Sequence, residues 1–344
     1  MEEGLIQAKE AVVDIIYLLI SRFAEFVKDY IMPFFEKIWD MIQYLPETKV
    51  FNGFVSSITE YLSISLRQSE CKQKIKQDLE YLFSQFLVKH MTFTQDDFEE
   101  FEADEIAFIK MDLEEIDKET RRRSCFNLVK KLVAQFPSEV GNLVNQMQES
   151  FCDMYQKDAE NNWEKQILVI NFIIASTIEN YTFERGATKI NIDQLTLIAY
   201  LEKIIIPEIN SEMPGKYPIL FSQCIKFLII YRNFLPQEWL PSMLEKLTTF
   251  LVNESIVIRT YSACAIEKIL NMRDLTNNQL ILTKEQIRPT LEDLLKNLNI
   301  LITESDGLDQ YGLKSLFRVV TIAGEDFMPY SKHFVGVVGT FVDK

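Results

Sequence analysis

Residues Gln237–Leu270 read QEWLPSMLEKLTTFLVNESIVIRTYSACAIEKIL, and this stretch decides the fold. It holds an amphipathic helix with an early proline, then a short turn. A second helix follows, opened by the acid Glu254 and the dyad Ile258-Arg259. A proline at a helix start costs little, because the N–H it lacks would have no intrahelical partner there. Helix, short turn, helix is the unit of HEAT and armadillo arrays. In such arrays an acid–arginine pair laces neighbouring repeats, which is the role expected of Glu254 and Arg259.

The same pattern extends in both directions. Period-two alternation is nearly absent, and apolar residues recur at i, i+3, i+4 and i+7, as on amphipathic helices. Cys125, Leu128, Leu132 and Phe136 share one face, with Lys130 and Lys131 outside it. Read in order, the helices pair as 28–45 with 48–66, 74–90 with 118–136, and 139–156 with 161–179. Further on, 191–209 pairs with 217–234, 237–252 with 255–271, and 284–302 with 309–325. Residues 5–23 read as the second helix of a preceding pair, and 328–343 as the first of a following one. The expected fold is all-α: an α-solenoid of HEAT repeats with about six full helix pairs plus a half repeat at each end. Residues 1–344 would form one array, the middle of a longer one. First helices start about 46, 65, 52, 46, 47 and 44 residues apart, against roughly 40–47 for such repeats. The long step leaves an insertion at about 91–111.

Composition narrows the function. Net charge is −15, which excludes a protein that works by neutralising nucleic-acid phosphates. Most of that excess lies in one segment. From Asp96 to Glu119 there are twelve acids, among them Asp96, Asp97, Glu99, Glu100, Glu102, Asp104, Glu105, Asp112, Glu114 and Asp117, against Lys110 and Lys118. The apolar runs AVVDIIYLLI and ILVINFIIAS are about half the roughly 20 residues a membrane-spanning helix needs. Five widely spaced cysteines without a CxxC pair point to free thiols in a reducing compartment, all but Cys71 lying in apolar helical stripes. The two histidines, His90 and His333, lie near opposite ends, and no phosphate-cradling glycine motif is present. No catalytic residue, cofactor site or metal site is therefore expected.

The acidic segment meets the triplet Arg121-Arg122-Arg123. Two readings of the acids stand: a solvated loop, or an acidic surface for a basic partner. The second is favoured because Phe93, Phe98, Phe101 and Phe108 interleave with the acids, and aromatic anchors beside charge are what interfaces use. For the arginines the expectation is an architectural clamp. Three successive helical residues span about 200° of the wheel and cannot all face one ligand. Asp117 and Glu119 are expected to open that helix, Trp163 to be a core residue at a helix start, and Arg232 and Asn233 to cap carbonyls at a helix end.

Several stretches together carry a resemblance: FIKMDLEEIDKETRRRSCFNLVKKL, NNWEKQ, IKFLIIYRNFLP and ESIVIRTYSACAIEKILNMRD, with YIMPFFEKIWDMI before them and GLKSLFRVV after. In this order they resemble the central region of the importin-α re-exporters, a branch of the importin-β (karyopherin-β) superfamily. The resemblance implies a non-enzymatic nuclear export receptor that shuttles between nucleus and cytoplasm. It would bind importin-α cooperatively with GTP-bound Ran, with no nucleic-acid or membrane partner, and change curvature between free and loaded states. It also implies that Asp112, Glu114, Asp117 and Arg121 to Arg123 belong to a hinge region beside the insertion. The family's principal Ran-binding repeats would lie before this region and its C-terminal arch beyond it.

Overall fold

The computed structural model describes residues 2–113, 120–274, 276–304 and 309–342. They are overwhelmingly helical, and the helices follow the expected alternation closely. Helix α1 (Glu2–Met41) is followed by α2 (Asn52–Ser65), α3 (Ser69–Gln77) and a helical run α4 over 79–91. Next come α5 (Gln95–Ala103), α6 (Glu105–Leu113), α7 (Arg121–Gln135), α8 (Pro137–Lys157) and α9 (Trp163–Thr177). A two-stranded sheet of β1 (Ile178–Thr182) and β2 (Gly186–Ile190) interrupts the series. After it run α10 over 194–209, α11 (Pro218–Tyr231), α12 (Leu240–Phe250), α13 (Ile256–Leu270), α14 (Leu291–Glu304), α15 (Asp309–Ala323) and α16 (Met328–Val342).

Four findings correct the sequence reading. The break expected between 23 and 28 is only a local one, a non-helical residue at Phe23 (φ −135°), and the helix continues through Pro33 to Met41. The inserted segment is not a loop: most of it folds as α5 and α6. The hairpin replaces the junction between two helices, and its turn needs Gly186 at φ +72°. A Cβ there would lie 2.9 Å from the Arg232 guanidinium. Finally, Glu254 and Arg259 form no ion pair among the described residues, and Arg259 Nε is buried without a hydrogen-bond partner there. The lacing role expected of that pair is not met.

Two helices carry a widened turn. Within α4 it falls at Phe83–Leu87, and within α10 at Leu201–Ile205, just before Pro207. A proline inside a helix removes one backbone donor and crowds the carbonyl a turn earlier. A π turn at that place relieves both while keeping the helix running.

The chain forms two compact units, Met1–Ala103 with Ile116–Ile178 and Asp104–Glu115 with Glu179–Lys344. In the first, α1 packs on α2, α2 on α7, and α7 on α9, with α8 against α9. The face of α1 turned from α2 is apolar and open, with Phe23, Phe26 and Tyr30 exposed. In the second, α13 is central, touching α6, α11, α12 and α15. Its sequence fits that place: Val257, Ile258, Tyr261, Ala265, Ile266 and Ile269 are all buried, so little of its circumference faces water. By contrast α14 buries a single stripe of Leu291, Leu294, Leu295, Leu298, Leu301 and Ile302. Where α15 crosses it, Gly312 allows the close approach: a Cβ there would stand 2.8 Å from Ile302 Cγ1 and force that side chain to shift.

All five cysteines are free and buried, Cys71 included, although it was placed outside the apolar stripes. Burial raises the Cys71 thiol to about 11 and that of Cys264 to about 12, so both pack as small apolar groups.

Candidate partner-binding segment

Sequence and structure both single out the acidic segment, and local signals explain how it folds. Thr94 begins α5 as its N-cap residue, and Asp97 three positions on reaches back to accept from the Thr94 backbone N–H at 2.8 Å and its hydroxyl at 2.7 Å. Asp104 precedes α6 and accepts from the Ala107 N–H at 2.8 Å. Thr120 caps α7 through the Arg123 N–H at 3.2 Å. The arginine triplet is therefore the first turn of α7, a turn that itself holds no acid.

Within the first unit Asp97 is the hub. Its Oδ2 receives Arg121 Nη2 at 2.5 Å and Arg122 Nη1 at 2.8 Å. Arg121 is buried, and it also donates to Thr94 Oγ1 at 3.0 Å and to the Glu47 carbonyl at 3.3 Å. Burial alone would raise the Asp97 carboxyl. Arg122, the Thr94 backbone N–H and Arg121 outweigh it and hold the carboxyl below its ordinary range. The Arg122 guanidinium lies 4.6 Å from the centre of the Phe93 ring, where a cation meets the ring's negative face. Phe93 and Phe98 in turn lie 6.2 and 5.9 Å from Trp163, and Phe98 lies 6.2 Å from Phe101. Phe93 and Phe101 are buried, so these aromatics fasten α5 to its own unit. Trp163, expected in the core, is half-buried at the start of α9.

With Asp97 turned inward, Asp96, Glu99, Glu100 and Glu102 are left on the exposed side of α5. Glu100 meets Lys49 at 3.1 Å, and Glu99 accepts from Gln95 at 3.3 Å. Arg123 is exposed and takes no part in the clamp. Two of the three arginines therefore act as expected and the third is free for solvent.

In the second unit the corresponding hub is Asp112. It accepts from Lys226 Nζ at 2.5 Å and from the Tyr261 hydroxyl. Burial opposes its ionisation, but Lys226, Tyr261 and Gln223 more than compensate and hold its carboxyl low. The same contact, added to burial, pushes the Tyr261 phenol up. Asp104 is exposed, whereas Glu105 is half-buried and burial raises its carboxyl. Glu114, Asp117 and Glu119 lie outside the described residues. The expected site residues thus divide between units, with Asp96 to Glu102 and the arginines in the first and Asp104 to Asp112 in the second.

Sequence reading missed Lys226, Tyr261 and Gln223, which are far from Asp112 along the chain and carry no local signal. It placed Arg232 and Asn233 at carbonyls correctly but foresaw only part of their task. Arg232 Nη1 caps the Ile229 carbonyl at 2.6 Å, and its Nη2 donates to the Glu184 carbonyl at 2.6 Å. Asn233 donates to the carbonyls of Arg185 and Ala187 at 2.7 and 2.9 Å, so the pair also holds the hairpin. Among the described residues no group of acids, histidines and cysteines is arranged to hold a metal ion, and no helix is long and apolar enough to cross a membrane.

A family model described as Cse1 matches residues 2–266. The chain belongs to the Cse1 family. Among its relatives, Exportin-2 of Oreochromis niloticus is 27% identical over 339 residues, covering 97% of this chain and 35% of the relative. The importin alpha re-exporter of Saccharomyces cerevisiae is 28% identical over 335 residues, covering 94% and 35%. A solved structure of the exportin Cse1 in its cargo-free, cytoplasmic state superposes with a TM-score of 0.82 at 26% identity, over 97% of this chain and 36% of that one. A more distant likeness to Kap121p bound to Ste12p, TM-score 0.63 at 16% identity, shows the fold alone. The chain thus spans about a third of the length of the Cse1-family proteins it matches. The helix alternation read from the sequence is that of an exportin's HEAT solenoid.

Proposed function

We propose that this chain is the central array of a nuclear export receptor that carries importin-α back to the cytoplasm in complex with GTP-bound Ran. Its work is binding rather than catalysis, and it shuttles between nucleus and cytoplasm. One observation carries the reading: a match over nearly the whole chain to proteins named Exportin-2 and importin alpha re-exporter. In this reading the exposed acids Asp96, Glu99, Glu100 and Glu102 face a basic partner. Asp112, Glu114, Asp117 and Arg121 to Arg123 form a hinge region whose contacts differ between the free and loaded curvature of the solenoid. Coupling of the two ligands then requires each to favour the same curvature.

The test is binding of the chain to importin-α with and without Ran locked in its GTP form. Binding that strengthens with Ran-GTP supports the reading. Absence of binding by this chain and also by a version extended at both ends would reject it, leaving a HEAT scaffold for other proteins.

A further inference from the structure

The second unit contains a cavity of about 220 Å3 bordered by the hairpin tip, α13 and α15. Its lining carries two glutamates, Glu184 and Glu267, and two lysines, Lys268 and Lys314. Lys268 on α13 is buried, with its side chain 6% exposed, and reaches Glu184 at 2.8 Å and Glu267 at 3.0 Å. Glu267 is already bonded to Arg318 at 3.0 Å. Lys314 on α15 also lines the cavity and has no ion-pair partner among the described residues. Buried Arg232, against the hairpin tip, donates to the backbone carbonyls of Ile229, Phe183 and Glu184. The charged lining is thus Lys268 and Lys314 with Glu184 and Glu267, backed by Arg318 on Glu267 and by Arg232 on the hairpin carbonyls. Burial works against the Lys268 ammonium, but Glu184 and Glu267 outweigh it, so the lysine stays charged and keeps its donors.

One of the two carboxylates is loosely held. The Glu184 side chain is 76% exposed, while the lysine it touches is almost wholly buried. The hairpin backbone is fixed independently by Arg232 and Asn233, so Glu184 can swing away without moving the hairpin. Phe183 stays beside the ammonium, its ring centre 5.1 Å from Lys268 Nζ. Only the Glu184 end of this pair faces solvent, so an incoming carboxylate can exchange with it for Lys268, with Lys314 beside both.

We propose that this cavity is a pocket for the carboxylate of an acidic side chain presented by a partner protein, with Glu184 as the chain's own competitor for Lys268. This inference rests on the charges of the second unit and is independent of the transport reading.

The test is fluorescence anisotropy of the whole chain with a fluorescein-labelled, C-terminally amidated tetra-glutamate peptide, and with its tetra-glutamine counterpart, at low salt. The glutamate peptide is expected to bind and the glutamine peptide not. Glu184→Gln should tighten binding about threefold, the worth of a lost exposed competitor. Lys268→Met should weaken it at least about tenfold, the worth of a hydrogen bond to a charged group. Because Lys268→Met leaves Glu267 short of a partner, Lys314→Gln, on the exposed side of α15, provides a second variant and should weaken binding about threefold. Equal binding of the two peptides would overturn the proposal, as would a Glu184→Gln variant no tighter than the parent. Equal competition by acetate at matched carboxylate concentration would also overturn it, because the pocket would then take free small carboxylates rather than a protein's side chain.

Discussion

Asp97 and Asp112 are the same residue type in one acidic stretch, and each is the anchor of a short helix, but they are held in different ways. Asp97 is gripped by Arg121, 24 residues away, together with its own cap residue Thr94. Asp112 waits for Lys226 and Tyr261, 114 and 149 residues away. The first anchor forms from local chain, whereas the second exists only once α11 and α13 are in place, so its contact order is far higher. Burial differs as well. The Arg121 side chain is 3% exposed and Lys226 18%. A fork of planar donors suits the deeper site, and a single ammonium suits the shallower one.

The sharpest way to break this comparison is Asp97→Ala, which strands buried Arg121 without its ion-pair partner among the described residues. Breaking a buried pair from one side costs about 3–5 kcal/mol, so the midpoint of urea unfolding should fall markedly. Asp112→Asn should cost less, about 2 kcal/mol, because Lys226 can still reach solvent and the amide keeps one acceptor. Equal losses from the two substitutions would erase the distinction between the anchors.

Acid sharpens it further. Both carboxylates are held low, so their stabilisation is complete above the unfolded-chain value of about 3.9 and is lost as pH falls through the lower folded value. His90, in the first unit, responds earlier. It is fully buried, and neither ring nitrogen has a hydrogen-bond partner among the described residues. Burial, then Lys89 and Arg121, lower its ring to about 3. Its folded value lies below the unfolded value of about 6.5, so the stability it carries is whole above that pH and declines steadily below it. His90→Leu should remove this slope between about pH 6.5 and 4.5 and add about 1 kcal/mol at neutrality, by ending the burial of an unpaired polar group. Unfolding midpoints measured across that range check both statements.

The smallest effect belongs to Arg123→Ala. This exposed side chain lies outside the clamp, and its replacement should shift stability by less than about 0.5 kcal/mol. A loss as large as that of Arg122→Ala would mean that all three arginines share one task.

The sequence made the helices legible because burial on one face writes a 3.6-residue period, clearest in α14 and least needed in α13, which is buried on nearly all sides. The first anchor was half legible: three arginines beside acids suggest a clamp, whereas the capping signal in TQDD went unread. The choice of Asp97 over its neighbours was not legible, since it depends on which side of α5 faces α7. The second anchor left no trace, because nothing near Asp112 points to Lys226 or Tyr261. The hairpin was hidden for another reason. Its strands are five residues each, between two strong helical patterns, and its turn depends on Arg232 and Asn233 some 46–49 residues later.

Amide hydrogen exchange over residues 94–113 tests the central claim most directly, comparing the parent chain with Asp97→Asn and Asp112→Asn. If each carboxylate anchors its own helix, Asp97→Asn will speed exchange in Gln95–Ala103 and leave Glu105–Leu113 at the parent rate, and Asp112→Asn will do the reverse. Acceleration of both helices by either substitution, or of neither by both, would contradict two separate anchors.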